Sequence, residues 1–127
     1  MIKSTYIADV VDLLLDGAAD ADTCRPQIEL LSDTIYGCTS GGAFVSFSHN
    51  EDIAQYKSRD ESGVLDGVKI TSADFEFEAD ATLYFRNGII HNMEIVCKQG
   101  SYPRRDLTKY ILTQVWNGAP GREISRD

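Results

Sequence analysis

From Phe75 to Arg86 the chain alternates without a break: Phe75, Phe77, Ala79, Ala81, Leu83 and Phe85 against Glu76, Glu78, Asp80, Thr82, Tyr84 and Arg86. Successive side chains of a strand point to opposite faces, so a run this long predicts a half-buried β-strand. Asn87-Gly88 follows, a dipeptide that enters the left-handed conformation of a tight hairpin turn. Ile89 to about Gln99 then reads as the returning strand. A two-residue turn would pair Leu83 with Asn92 and Asp80 with Ile95, mixing apolar and polar residues on each face. A three-residue loop, Arg86-Asn87-Gly88, pairs Ala81 with Met93 and Ala79 with Ile95 and keeps the odd-numbered apolar residues together. The second register is preferred, because a one-residue slip reverses every side chain of a strand.

The rest of the chain arranges itself around this hairpin. Tyr6, Ile7, Val10, Val11, Leu14 and Leu15 recur at helical spacing, with Ser4 as cap, Gly17 as stop, and Asp9, Asp12 and Asp16 off the apolar stripe. A second helix is predicted next, capped by Asp22 or Thr23, with Pro26 in its first turn and Ile28, Leu31 and Ile35 as its apolar face. Ala43, Val45 and Phe47 predict a strand. The polar stretch from His49 to Gly63 predicts a long loop with one helical turn near Ile53 and Tyr56. Asp66-Gly67 predicts a turn before a short strand at Val68 and Ile70. Leu107 to Trp116 predicts a last strand, and 117–127, rich in glycine and charge, a loose tail. Two helices followed by strands with short turns give an α+β class, in which two N-terminal helices pack on one face of an antiparallel β-meander. At 127 residues the chain has the size of a single domain, 1–127.

Charge bounds the partners. The chain carries 20 acidic and 12 basic residues, a formal net charge of −8. Such a surface repels phosphate backbones, so no nucleic acid is expected, and it attracts basic proteins in a salt-dependent way. No apolar run approaches the roughly 20 residues that span a bilayer. Ile7 to Leu15 is interrupted by Asp9 and Asp12, unlike a signal-peptide core. Cys24, Cys38 and Cys97 are odd in number and form no CxxC pair. Free thiols in a cytoplasmic protein fit this best, with no metal and no cofactor.

Residues able to carry chemistry are few. The preferred register collects Glu76, Glu78, Asp80 and Glu94 on one strand face, extended by Asp74, with aromatic Tyr84 beside them. A docking surface for a basic partner would use such a band, and a solvated sheet face would also explain it. No calcium-loop spacing is present. His91 falls on the apolar face opposite Leu83, which suits a hydrogen-bonded core histidine. His49 sits at a strand end beside Asn50, Glu51 and Asp52. Gly37-Cys38-Thr39-Ser40-Gly41-Gly42 is neither a phosphate loop nor a nucleophile elbow. Cys38 would be a nucleophile only with a histidine beside it. Tyr102-Pro103-Arg104-Arg105-Asp106 is the one basic knot, and Trp116 suits a core position.

The block Ala79-Asp80-Ala81-Thr82-Leu83-Tyr84-Phe85-Arg86-Asn87-Gly88-Ile89-Ile90-His91-Asn92-Met93-Glu94-Ile95, followed by Tyr102-Pro103 and by Leu107 to Trp116, resembles small bacterial proteins encoded beside polymorphic toxins. These include the immunity proteins of contact-dependent growth inhibition systems. The resemblance covers roughly residues 66 to 116. It implies a cytoplasmic inhibitor that binds a cognate toxin domain and blocks its active site. Such toxins are often basic nucleases, which an acidic partner suits. The family has no catalytic residues to carry over. A binding protein of this kind, docking through Asp74, Glu76, Glu78, Asp80, Tyr84 and Glu94, is therefore the first expectation. The alternative is a small-ligand-binding or hydrolytic domain using His49, Cys38 and nearby carboxylates. A third reading is a subunit that self-associates through a strand edge.

Overall fold

The computed structural model describes residues 1–127 and is an α+β fold: a curled antiparallel sheet of seven strands wrapped around one helix. The helix, α1 (Thr5–Leu15), starts where the Ser4 hydroxyl accepts the Ile7 N–H at 3.1 Å. Tyr6, Ile7, Val10, Val11, Leu13, Leu14 and Leu15 are all buried. A helix apolar on most of its circumference must be surrounded, and here the sheet does the surrounding.

The strands are β1 (Leu31–Thr39), β2 (Gly42–His49), β3 (Val64–Thr71), β4 (Phe77–Arg86), β5 (Ile89–Gly100), β6 (Tyr110–Gln114) and β7 (Glu123–Arg126). Their spatial order is β1-β2-β5-β4-β3-β6-β7, and every neighbouring pair is antiparallel. The concave face carries Val45, Phe47, Val68, Ile70, Ala79, Ala81, Leu83, Met93, Ile95 and Leu112 onto α1, in one continuous core. The expected turn near Ile53 and Tyr56 is present as a 3₁₀ helix, Glu51–Tyr56.

The expected second helix does not form as such. The region holds two single turns, α2 (Ala21–Cys24) and α3 (Gln27–Leu30), and then β1. A bulge between Asp33 and Ile35 interrupts that strand. The extra residue reverses the phase of the alternation, so Leu31 is buried while Ile35, four positions on, is 60% exposed, and the two never formed one apolar face. β-branched Thr34 and Ile35 and aromatic Tyr36 suit that strand.

The hairpin register also differs from the preferred one. The turn has two residues, Asn87 (φ 54°) and Gly88 (φ 77°), with Arg86 facing Ile89. A bulge between Tyr84 and Phe85 on one side leaves His91 unpaired on the other, and beyond it Leu83 faces Met93, Ala81 faces Ile95 and Ala79 faces Cys97. The bulge restores the segregation of faces that a simple two-residue turn would have lost. His91 is consequently exposed, with its Nδ1 2.8 Å from Asn92 Oδ1, and is no core histidine.

Asp66-Gly67 is a bulge inside β3, not a turn before it. Gly67 has φ +97°, and a Cβ there would lie 2.9 Å from Cβ of Trp116, so the indole packs on bare backbone. Residues 117–127 are not a loose tail: β7 pairs with β6 from Tyr110–Arg126 to Thr113–Glu123. Arg122 and Arg126 reach from this end to Asp12, Asp16 and Asp9 on α1. The three aspartates lie one turn or so apart on the one strip of α1 that the core leaves free, and Arg25 joins Asp12 and Asp16 there.

Candidate functional site

The convex face of the sheet has no helix against it. On β4 it presents Glu78, Asp80, Thr82 and Tyr84, all half-buried. Cross-strand pairing sets their neighbours. Asp80 lies between Val96 and Lys69, Thr82 between Glu94 and Asp66, and Tyr84 between Asn92 and Val64. Glu94 and Asp80 are therefore diagonal neighbours across β4 and β5, within reach of one ligand group. Lys69 approaches Glu78 at 4.0 Å, an exposed pair that neutralises little of the band. Asp80 and Glu94 make no ion pair.

Of the expected docking residues, Glu78, Asp80, Tyr84 and Glu94 thus share the convex face. Asp74 and Glu76 are exposed in the segment before β4, where the Asp74 N–H donates to Ser72 Oγ at 3.2 Å. They prolong the acidic band past the strand end rather than lying on the strand. The face also carries apolar patches that single-strand alternation did not reveal: Ile35, Phe44 and Val96 are 60, 42 and 45% exposed. Phe44 faces Gly37 on one side and Glu94 on the other.

The residues of the hydrolytic alternative are not brought together. Cys38 lies opposite Ala43 at one end of the β1–β2 hairpin, and His49 lies opposite Leu31 at the other. Six residues of strand separate them, roughly 20 Å. His49 is exposed and its Nδ1 contacts its neighbour's carbonyl, Asn50 O, at 2.9 Å. Burial pushes the Cys38 thiol up, against a smaller pull from Tyr36, and the Asp106 charge adds to the rise. A thiol in that environment stays protonated at neutral pH and is a poor nucleophile.

Cys38 instead borders a hydroxyl network under the open end of the sheet. Tyr6 and Tyr102 share a hydrogen bond of 2.8 Å, and Ser4 Oγ and Tyr36 Oη donate to Asp106 Oδ1 at 2.6 and 3.0 Å. Burial pushes the pKa of Tyr6, Tyr36 and Tyr102 well above the usual phenol range, with the neighbouring groups adding in part, so all three stay un-ionised. The network is a set of satisfied hydrogen bonds, and no buried side-chain polar atom lacks a partner. In the basic knot, Tyr102 and Pro103 are buried and Arg105 stacks 5.4 Å above the Phe75 ring, while Arg104 and Arg105 both stay exposed.

Two open grooves flank α1. One, of about 520 Å³, is lined by Asp9, Asp12, Asp22, Arg25 and Glu29, among others. The other, of about 600 Å³, lies between Ala18, Asp20, Arg59, Leu65 and Phe85. No group of three or more histidine, cysteine or carboxylate side chains is placed to hold a metal ion. No helix is long and apolar enough to cross a membrane. The chain matches no family model, no curated protein and no solved structure.

Proposed function

We propose that the chain is a binding protein for a basic protein domain, and that it works by covering that domain's functional surface. The observation carrying this is the uncovered convex face, where Asp80 and Glu94 stand as diagonal neighbours beside Glu78 and Tyr84, neither of the two in an ion pair and Lys69 the one cation across from them. Carboxylates so close repel one another and contribute nothing to the core, so a cationic partner would relieve a cost that the free protein carries. Tyr84 supplies a rigid aromatic anchor with a polar tip. In this reading the partner is a bacterial toxin domain, nuclease-like and basic, met in the cytoplasm and inhibited by occlusion of its active site. The hydrolytic alternative draws less support, because Cys38 and His49 stand at opposite ends of a hairpin.

The test is capture of the basic domain encoded by the adjacent gene. Tight one-to-one capture that weakens with salt and abolishes the domain's toxicity supports the reading. Absence of capture at low salt overturns it.

A further inference from the structure

A long free strand edge coincides with the one stretch of this acidic chain that is almost without charge. Between Leu31 and His49, the whole β1–β2 hairpin, the only aspartate, glutamate, lysine or arginine is Asp33, in a chain that is 25% charged. Both Asp33 carboxylate oxygens are already occupied, by the backbone N–H groups of Lys3 at 2.9 Å and Ser4 at 3.2 Å. The N-terminal residues so cover the start of the strand. Beyond the bulge, Ile35–Thr39 has nothing on its outer side: β1 is the last strand of the sheet, and no backbone hydrogen bond from outside the β1–β2 ladder reaches it.

Edge strands are normally blunted by lysine, proline, shortness or cover. The opposite edge conforms, since β7 has four residues, including Glu123 and Arg126. β1 has nine residues and neither proline nor lysine. Its convex side adds an apolar step. Ile35 and Phe44 are exposed, and Gly37 lies bare between Phe44 and the edge. The shallow trough there, about 330 Å³, is bordered by Gly37, Gly42, Phe44 and Val96 and is roomy enough for an isoleucine side chain.

We infer that this edge pairs with the same edge of a second copy, Ile35–Thr39 running antiparallel to Ile35–Thr39 about a twofold axis at Gly37. The two sheets then join into one. Gly37 faces its own counterpart, Ile35 faces Thr39, and each Ile35 leans over the other copy's Gly37 towards Phe44. Charge selects this occupant. A basic partner gains nothing from a neutral edge, whereas two copies of charge −8 can approach closely only where charge is missing. An isologous contact of this kind closes on itself as a dimer.

Sedimentation of the full chain over a range of concentration and salt tests the inference. The expected mass rises from 14.1 kDa towards twice that value with concentration. Added salt strengthens the dimer by screening the repulsion, the reverse of its effect on capture of a basic domain. Ile35→Asp puts a carboxylate opposite Thr39 and over the bare Gly37 of the other copy, where the apolar contact was, and weakens the dimer by about tenfold or more, whereas Ile111→Asp, on β6, leaves it intact. Amide hydrogen exchange on the unmodified protein gives a second readout: protection of Ile35–Thr39 grows with concentration. A mass of 14.1 kDa under all conditions, a dimer indifferent to Ile35→Asp, or concentration-dependent protection at β7 instead would each overturn it.

Discussion

Arg126 holds Asp9 from 117 positions away, its Nε 2.5 Å from one carboxylate oxygen and its Nη2 3.0 Å from the other. The oxygen taken by Nε also accepts the Tyr110 hydroxyl at 2.6 Å. Asp9 is a buried residue of the first helix, so its charge is satisfied only by groups from the last two strands. Removing the guanidinium leaves that carboxylate with Tyr110 alone. Arg126→Ala should therefore lower the urea midpoint and loosen β7, while Asp9→Asn combined with Arg126→Ala should lose less than the two single changes summed. Equal, additive losses in a double-mutant cycle would show that the pair is not coupled.

Gln27 is a fully buried polar side chain with three hydrogen bonds. Its amide nitrogen donates to the carbonyls of Tyr56 and Gly88 at 2.7 and 3.0 Å, and its oxygen accepts the Ile90 N–H at 2.9 Å. One residue thus fastens α3 to the 3₁₀ helix and to the hairpin turn. Gln27→Leu fills similar space and takes the partner from the Tyr56 carbonyl and the Ile90 N–H, while the Gly88 carbonyl keeps the Ser58 N–H, at a cost of about 2–4 kcal/mol. Chemical denaturation measures this directly, and a loss under ~1 kcal/mol would mean that water takes over those bonds.

The acidic face separates binding from stability. Neutralising Asp80 and Glu94 together, as Asp80→Asn with Glu94→Gln, changes stability by no more than about 0.5 kcal/mol, because both side chains are partly exposed and unpaired. The same double change should weaken capture of a basic domain about tenfold at low salt and flatten its salt dependence. Unchanged affinity would move the docking surface elsewhere.

Acid should attack the helix strip first. Burial alone would raise Asp16, but hydrogen bonds from Arg122 and Gln114, with the charges of Arg122 and Arg25, hold it below its ordinary value of 3.8. Its folded state is thus favoured when ionised. The stabilisation is fully present above the unfolded value and is lost as pH falls through about 4 and below. Asp16→Asn should lower stability at neutral pH and flatten the acid limb of the stability–pH curve. An unchanged limb would assign acid sensitivity to other carboxylates.

Much of this architecture could be read from the amino acids, and two of the failures share one cause. α1 and the β4–β5 hairpin announce themselves, because each buries one face in strict period. β1 escaped because the Asp33/Ile35 bulge breaks its alternation, and His91 was misplaced because a second bulge ejects it. A bulge is an extra residue without a sequence signature of its own. The C-terminal strand escaped for a different reason: β7 is held by arginines whose partners lie more than a hundred residues upstream, a relation that no local window contains. Glu78, Asp80, Tyr84 and Glu94 of the acidic face were legible from the alternation, whereas Glu76 lies before the strand and the apolar border at Ile35, Phe44 and Val96 required knowing that β2 sits beside β5.

The enclosure of α1 also orders events in time. Among these elements the helix is synthesised before every strand, and β7, whose Arg126 reaches back to Asp9, comes after all the others. The pairings that bury the helix are long in sequence, and such non-local closures are slow steps in folding. A growing chain must hold Tyr6, Val10 and Leu14 unburied until its C-terminal strands emerge. A chain cut before Arg122 would lose both Arg122 and Arg126, and with them the contacts that Asp16 and Asp9 make farthest along the chain.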